Sequence, residues 1–170
     1  VNRVALAIIG PKFPILLKDV QENDMDLMWR WANDIKVRIN SFNNLFIEYK
    51  DHKRWFLKGL KDKNRIMLIA IDSTNCELGQ IRFDLNKSKH IAIIDISIDP
   101  AARSFGIAYE TIILGLKRMR REWGENIIAE AKILKSNKKS INCFIKAGFV
   151  REDDSLNEDI NFLVLKNFKT

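Results

Sequence analysis

Six stretches alternate apolar with polar residues or concentrate β-branched ones: FPILLKDV (13–20), RIMLIAID (65–72), LGQIRFDL (78–85), IAIIDISI (91–98), NIIAEAKI (126–133) and INFLVLKNF (160–168). This pattern predicts strands. Apolar residues spaced three and four apart predict helices over NDMDLMWRWAND (23–34), DHKRWFLKGL (51–60) and 107–123. A further helix, 137–147, starts at Asn137 and stops at Gly148, residue types suited to an N-cap and a C-terminal stop. IDSTNCELG and LNKSKH read as hairpin turns between neighbouring strands. The order is strand, two helices, three hairpin-linked strands, helix, strand, helix, strand. Residues 1–12, which run into GPKFP, fall outside the pattern and read as a leader, a linker or the tail of a preceding unit, leaving 13–170 as one domain.

Composition narrows the class. A chain of 170 residues with 46% hydrophobic and 30% charged residues is an ordinary globular domain. No apolar run approaches the roughly 20 residues of a membrane span, and the opening VNRVALAIIG lacks a signal-peptide cleavage pattern. A cytoplasmic protein is expected. A start at Val1 without methionine reads as a piece excised or processed from a longer chain. Cys76 and Cys143 stand far apart in no ligand spacing, so neither a disulfide framework nor a metal site is expected. The net charge of +7 suits an anionic small-molecule partner, a nucleic acid or a plain basic surface. The lysines are scattered without interleaved aromatics, and KRMRREW (117–123) lies on a helix whose other face is apolar, which argues against nucleic acid.

The junction SIDPAARSFGIA (97–108) carries chemistry. A strand stops at Pro100, one arginine and one glycine follow, and a long helix begins. Free amides and the positive end of the helix dipole make such a start an anion site, and Gly106 lets an anion approach the backbone. Arg103 adds a cationic donor. Neither the G-x-x-x-x-G-K-[ST] phosphate loop nor the three-glycine dinucleotide loop is present.

The order of elements, with RSFGIA after IDP, resembles the GNAT superfamily of acetyl-CoA-dependent N-acetyltransferases, whose pyrophosphate loop reads [RQ]-x-x-G-x-[GA]. Arg103, Gly106 and Ala108 fill that pattern. NKKSINCFIKAGF (137–149) is similar to the family's second signature through Asn137, Ser140, Phe144, Gly148 and Phe149. The resemblance covers about 13–168. It implies an α+β, αβα-layered fold with a mixed, mostly antiparallel sheet whose fourth and fifth strands splay apart, and it implies acetyl-CoA as cofactor. Ile96 and Ile98 would offer main-chain bonds to the pantetheine arm; Arg103, Ser104, Phe105, Gly106, Ile107 and Ala108 would face the pyrophosphate, and Asn137, Ser140 and Phe144 would complete the cofactor side. Where the family often has a tyrosine that protonates the departing thiolate, this chain has Phe144. Along IIDISID, Asp95, Ser97 and Asp99 share one face, which puts a carboxylate beside the splay. Asp95 is the candidate base, and backbone amides from Asp95 to Ser97 are candidates to polarise the thioester carbonyl.

WRWANDIKVRINSFNN, DHKRWF and GQIRFD resemble the acetyltransferases that modify the 4-amino group of nucleotide-linked amino sugars, including versions fused behind another domain. That resemblance nominates Asn33, Arg38, Ser41, Phe42, His52, Trp55 and Arg82 for the acceptor side. The alternatives are an acetyltransferase of ribosomal-protein N-termini, whose first helices share the H-x-x-W of His52 and Trp55, and a catalytically inactive acetyl-CoA-binding module. A homodimer is consistent with either enzyme reading.

Overall fold

The alternation along residues 65–71 sorts the whole molecule into layers. In the computed structural model, which describes residues 10–152 and 161–168, Ile66 and Leu68 of strand β2 (Arg65–Ile71) join one apolar cluster, while Met67, Ile69 and Ile71 join another on the opposite face. Successive side chains of a strand point to opposite faces, so a strand apolar at nearly every position is one covered on both sides.

One face is covered by α1 (Met25–Ala32) and α3 (Tyr49–Leu60), with Leu27, Met28, Trp31 and Phe56 buried against β2, and the short α2 (Ile35–Ile39) follows α1 without a buried residue. The other is covered by α4 (Ile107–Trp123) and α5 (Lys138–Lys146), whose Ile112, Leu116, Met119, Ile141 and Phe144 meet Ile81, Phe83, Ala92 and Ile94 of the sheet. Burying each such side chain stabilises the fold by roughly 1.5–3 kcal/mol. Helix α4 comes unusually close to β3: a Cβ added to Gly115 would stand 2.6 Å from Ile81 Cδ1 and 3.2 Å from the Phe83 ring.

The sheet has seven strands in the order β1-β2-β3-β4-β5-β7-β6. These are β1 (Leu16–Asp19), β2, β3 (Glu77–Asn86), β4 (Ile91–Ile98), β5 (Ile128–Leu134), β6 (Val150–Arg151) and β7 (Phe162–Asn167). All neighbours are antiparallel except β4 and β5. This is the expected α+β, αβα arrangement with a mixed, mostly antiparallel sheet. The splay is present too: β4 and β5 pair only at Ile91–Ile128, Ala92–Ala129 and Ile93–Glu130, after which β5 continues against β7 alone.

Two elements lie outside the sequence-based expectation. Strand β6 spans only two residues. Helix α2 spans five, and its Ile35 and Ile39 are 71% and 65% exposed, so it has no buried apolar stripe to betray it. The helix expected over 23–34 is divided, with a 3-10 turn at Glu22–Asp24 before α1. Of the expected leader, residues 1–9 lie outside the described residues, while Lys12 exchanges hydrogen bonds with the hairpin turn, its N–H donating to Asp72 Oδ2 and its carbonyl accepting from Ser73 N.

Candidate active site

Where β4 ends, Asp99 turns the chain. Its Oδ1 accepts from Ala101 N at 2.9 Å and starts a 3-10 turn over Pro100–Ala102, while its Oδ2 accepts from Trp31 Nε1 at 2.7 Å. Ser104 (φ +72°) and Gly106 (φ +79°) then adopt left-handed conformations, and α4 begins at Ile107. Gly106 is the N-cap and supplies no side-chain cap, and a Cβ built on it meets nothing within 4 Å. The first amides of this 17-residue helix have no side-chain cap and the space beside the Gly106 Cα is open, a combination that suits an anion.

Beside the cradle lies a groove of about 520 Å³, walled by Ile94–Ile98 on one side and Ala131–Ile133 on the other. It is the opening left by the splay. Alternate residues of a strand send their N–H and C=O to the same side. The His90 carbonyl accepts from Ile128 N, so Ile94, Ile96 and Ile98 turn their main chain toward the β5 side, where the pairing ends at Ile93–Glu130. The groove is also lined by Arg103, Ser104, Ala108, Asn137, Ser140 and Phe144. Asn137 caps α5 by accepting from Ser140 N at 3.2 Å, and the Phe144 ring, 3% exposed, packs edge-on to Phe149 at 4.9 Å. Phe105 and Ile107 stand apart from it. Phe105 packs beside Gly10 while staying 42% exposed, and the Ile107 side chain is core, 1% exposed, leaving only the main chain of Ile107 for a ligand. The groove fits a phosphate-bearing, extended cofactor: a cradle at one end and, past the last β4–β5 pairing at Ile93–Glu130, the main chain of β4 along its wall, with the Ile98 carbonyl held by Arg103 Nε at 3.1 Å.

A second cavity, about 390 Å³, opens on the α1–α3 side of β4. The register explains its floor. Gln80 lies opposite Ser97 and Arg82 opposite Asp95, and opposite residues of an antiparallel pair share a face. The Asp95 carboxylate accepts from Gln80 Nε2 at 2.8 Å and lies 3.8 Å from Arg82 Nη1. Arg82 Nε donates to Asp84 at 2.8 Å, and its guanidinium sits 5.1 Å from the Trp55 ring centroid, which also carries Arg65 at 5.2 Å. Asp95, Ile96 and Ser97 line both cavities. The two spaces meet there, on the strand that has lost its parallel neighbour.

Of the seven expected acceptor residues, Arg38, Ser41, His52, Trp55 and Arg82 line this cavity. Asn33 and Phe42 do not. Asn33 holds the loop before α3, its Oδ1 accepting from Ile47 N at 2.8 Å and its Nδ2 donating to Ile47 O at 3.0 Å. Phe42 is 61% exposed and packs edge-on to Phe162 at 5.3 Å. Arg38 is engaged as well, donating to the carbonyls of Asn43 and Leu45 and to Ser41 Oγ. Sequence reasoning missed Gln80 and Asp51 in the second cavity and Val37, which lines both spaces from the short helix α2. It also missed Cys143 in the groove, although Cys143 follows Ser140 by one helical turn. Burial pushes the Cys143 thiol up, so it stands as a neutral thiol.

His52 is buried, and its Nε2 donates to the Met25 carbonyl at 3.0 Å. Burial holds the imidazole below its ordinary value, opposed by the smaller effects of that carbonyl and of Asp26. The unfolded chain therefore takes up this proton first as pH falls, so His52 costs no stability above about pH 6.5 and destabilises the native state below it. The melting temperature is expected to fall between about pH 7 and pH 5.5, with a shallower slope in His52→Gln. Parallel pH profiles of the two proteins would contradict a buried neutral histidine.

A family model for the acetyltransferase (GNAT) family matches residues 26–149. The chain belongs to the GNAT family and is an acetyl-CoA-dependent N-acetyltransferase. Among solved structures, it is similar to spermidine N-acetyltransferase from Vibrio cholerae in complex with CoA and spermine, with TM-score 0.78, 16% identity, and coverage of 89% of this chain and 92% of that one. It is also similar to AAC(6')-Ib in complex with paromomycin and acetyl-CoA, with TM-score 0.77, 14% identity, and coverage of 92% and 94%. An acetyltransferase of the GNAT family from Streptococcus pneumoniae aligns with TM-score 0.68, 14% identity, and coverage of 92% and 100%. At these identities the likeness shows the fold. No curated protein matches the chain. No helix among the described residues is long and apolar enough to cross a membrane.

Proposed function

We propose that the chain acetylates a primary amine presented in the 390 Å³ cavity, that the acceptor is a nucleotide-linked 4-amino sugar, and that the reaction centre is Asp95–Ser97. The observation that carries the reading is the sharing of Asp95, Ile96 and Ser97 by the groove and the cavity. When bound, acetyl-CoA supplies an acetyl group already activated as a thioester. The chain's own contributions follow from its residues. The amides of 104–108, with Arg103, hold phosphate; the main chain of Ile94, Ile96 and Ile98 orients the arm; and the Asp95 carboxylate takes the acceptor's proton. Ser97 shares the face of Asp95 and can orient the amine through its hydroxyl. Phe144 offers no proton at the groove, and none is assigned to that position.

The acceptor reading is supported by Arg38, Arg82 and Trp55 lining one cavity: two guanidinium groups suited to a diphosphate and a ring suited to a base or sugar. Substituting Arg82 by alanine is expected to raise the acceptor KM at least about tenfold, the scale of one charge-assisted hydrogen bond, while the CoA dissociation constant stays put. The deficit should shrink with added salt, because the parent loses the same attraction to screening. The cavity also holds Asp51 and Asp95, so a polycationic acceptor would respond in the opposite sense, gaining from the loss of Arg82. Kinetics with UDP-linked 4-amino sugars, polyamines and basic N-terminal peptides decide the matter. Preferential acetylation of polyamines or peptides would sink the sugar assignment and leave the fold and the family standing.

A further inference from the structure

Arg103 is the cation that the phosphate loop brings to the groove, and its charge is already engaged. Its Nη2 donates to Asp34 Oδ1, and its Nε donates to the Ile98 carbonyl at 3.1 Å. The ion pair is largely covered, with 24% of the Arg103 side chain and 16% of the Asp34 side chain exposed. The same Asp34 oxygen accepts from Val37 N at 3.3 Å and so begins α2. Val37 in turn lines both the groove and the acceptor cavity. One carboxylate therefore joins the phosphate loop to the wall between the two spaces, across 69 positions of sequence.

A pyrophosphate in the cradle offers Arg103 a partner of higher charge in the same groove. We propose that Asp34 is a positioning residue that holds Arg103 until the cofactor's pyrophosphate takes it, and that this exchange untethers α2, the wall of the acceptor cavity. The inference rests on the reading of 104–108 as the phosphate site. Because the pair must break for the exchange, its energy opposes cofactor binding; deleting the Asp34 charge removes that opposition. The sign is opposite to the one expected of a residue that merely maintains structure, whose loss would weaken both the fold and the binding.

Asp34→Asn isolates the charge, since asparagine caps a helix about as well as aspartate. Its CoA dissociation constant, by calorimetry, is expected to fall about two- to fivefold, the scale of a partly exposed ion pair. In an Arg103→Met background, CoA binds more weakly and Asp34→Asn should change nothing further. The ratio should persist with dephospho-CoA; its disappearance there would move Arg103 to the 3′-phosphate and overturn the exchange at the loop. Amide exchange over residues 37–41 should be faster in free Asp34→Asn than in the free parent, and the two should match once saturated with CoA. An Asp34→Asn protein that binds CoA with unchanged or weaker affinity, or an exchange difference that survives saturation, overturns the inference. A parent protein that fails to bind CoA would instead remove the reading of the loop.

Discussion

Gly106→Val is expected to raise the CoA dissociation constant by about a hundredfold or more, in a protein that still folds. Two effects separate cleanly here. The φ of +79° at Gly106 is one that β-branched residues resist, so the substitution costs about 1–2 kcal/mol of backbone strain. Beyond the adjoining residues of the chain, nothing lies within 4 Å of the new Cβ, so packing adds little further. The side chain projects instead into the space where an anion must approach the amides of 104–108. Each charge-assisted bond lost there is worth about 1.5–3 kcal/mol, so two of them exceed the strain. Calorimetry together with a melting curve distinguishes the outcomes: a modest drop in melting temperature with near-abolished binding is expected, and unchanged affinity would move the phosphate away from this loop.

Asp95→Asn is expected to lower kcat about 10²- to 10⁴-fold, the range of general-base catalysis, and to leave CoA binding nearly intact. The substitution keeps the side chain's shape but removes its basicity and its charge, so the attraction to Arg82 Nη1 at 3.8 Å weakens with it. Asparagine's carbonyl can still accept from Gln80 Nε2, as the carboxylate does at 2.8 Å, so the local pairing survives. Loss confined to turnover is the signature of an interaction made in the transition state. Equal kcat values for the two proteins would reduce Asp95 to a partner of Gln80 and Arg82 and leave water or the acceptor itself as the base.

The parts of the fold that were legible in sequence are those whose signals are local. Residues 91–98 are rich in isoleucine and alternate apolar with polar from Ile94 to Asp99 before Pro100, and the expected strand coincides with β4; 107–123 is bracketed by Gly106 and Gly124 and coincides with α4. Asn137 was readable as a cap because capping acts over three residues, here onto Ser140 N. What stayed hidden depends on distant partners. Asn33 and Phe42 have the residue types of a polar, aromatic acceptor site, but Ile47 and Phe162 claim them. Arg103 reads as a free cation until the chain brings Asp34 to it. Gln80 enters the site only through the register that sets β3 against β4. Helix α2 escaped because a wall with its isoleucines exposed carries no core-facing periodicity.

The most direct test is a crystal structure with CoA bound. The pyrophosphate oxygens are expected about 3 Å from the amides of 104–108, with the pantetheine arm along Ile94–Ile98 and the thiol end at the Asp95–Ser97 meeting of the two cavities. CoA seated elsewhere, with the groove between β4 and β5 left empty, would contradict the assignment of this site.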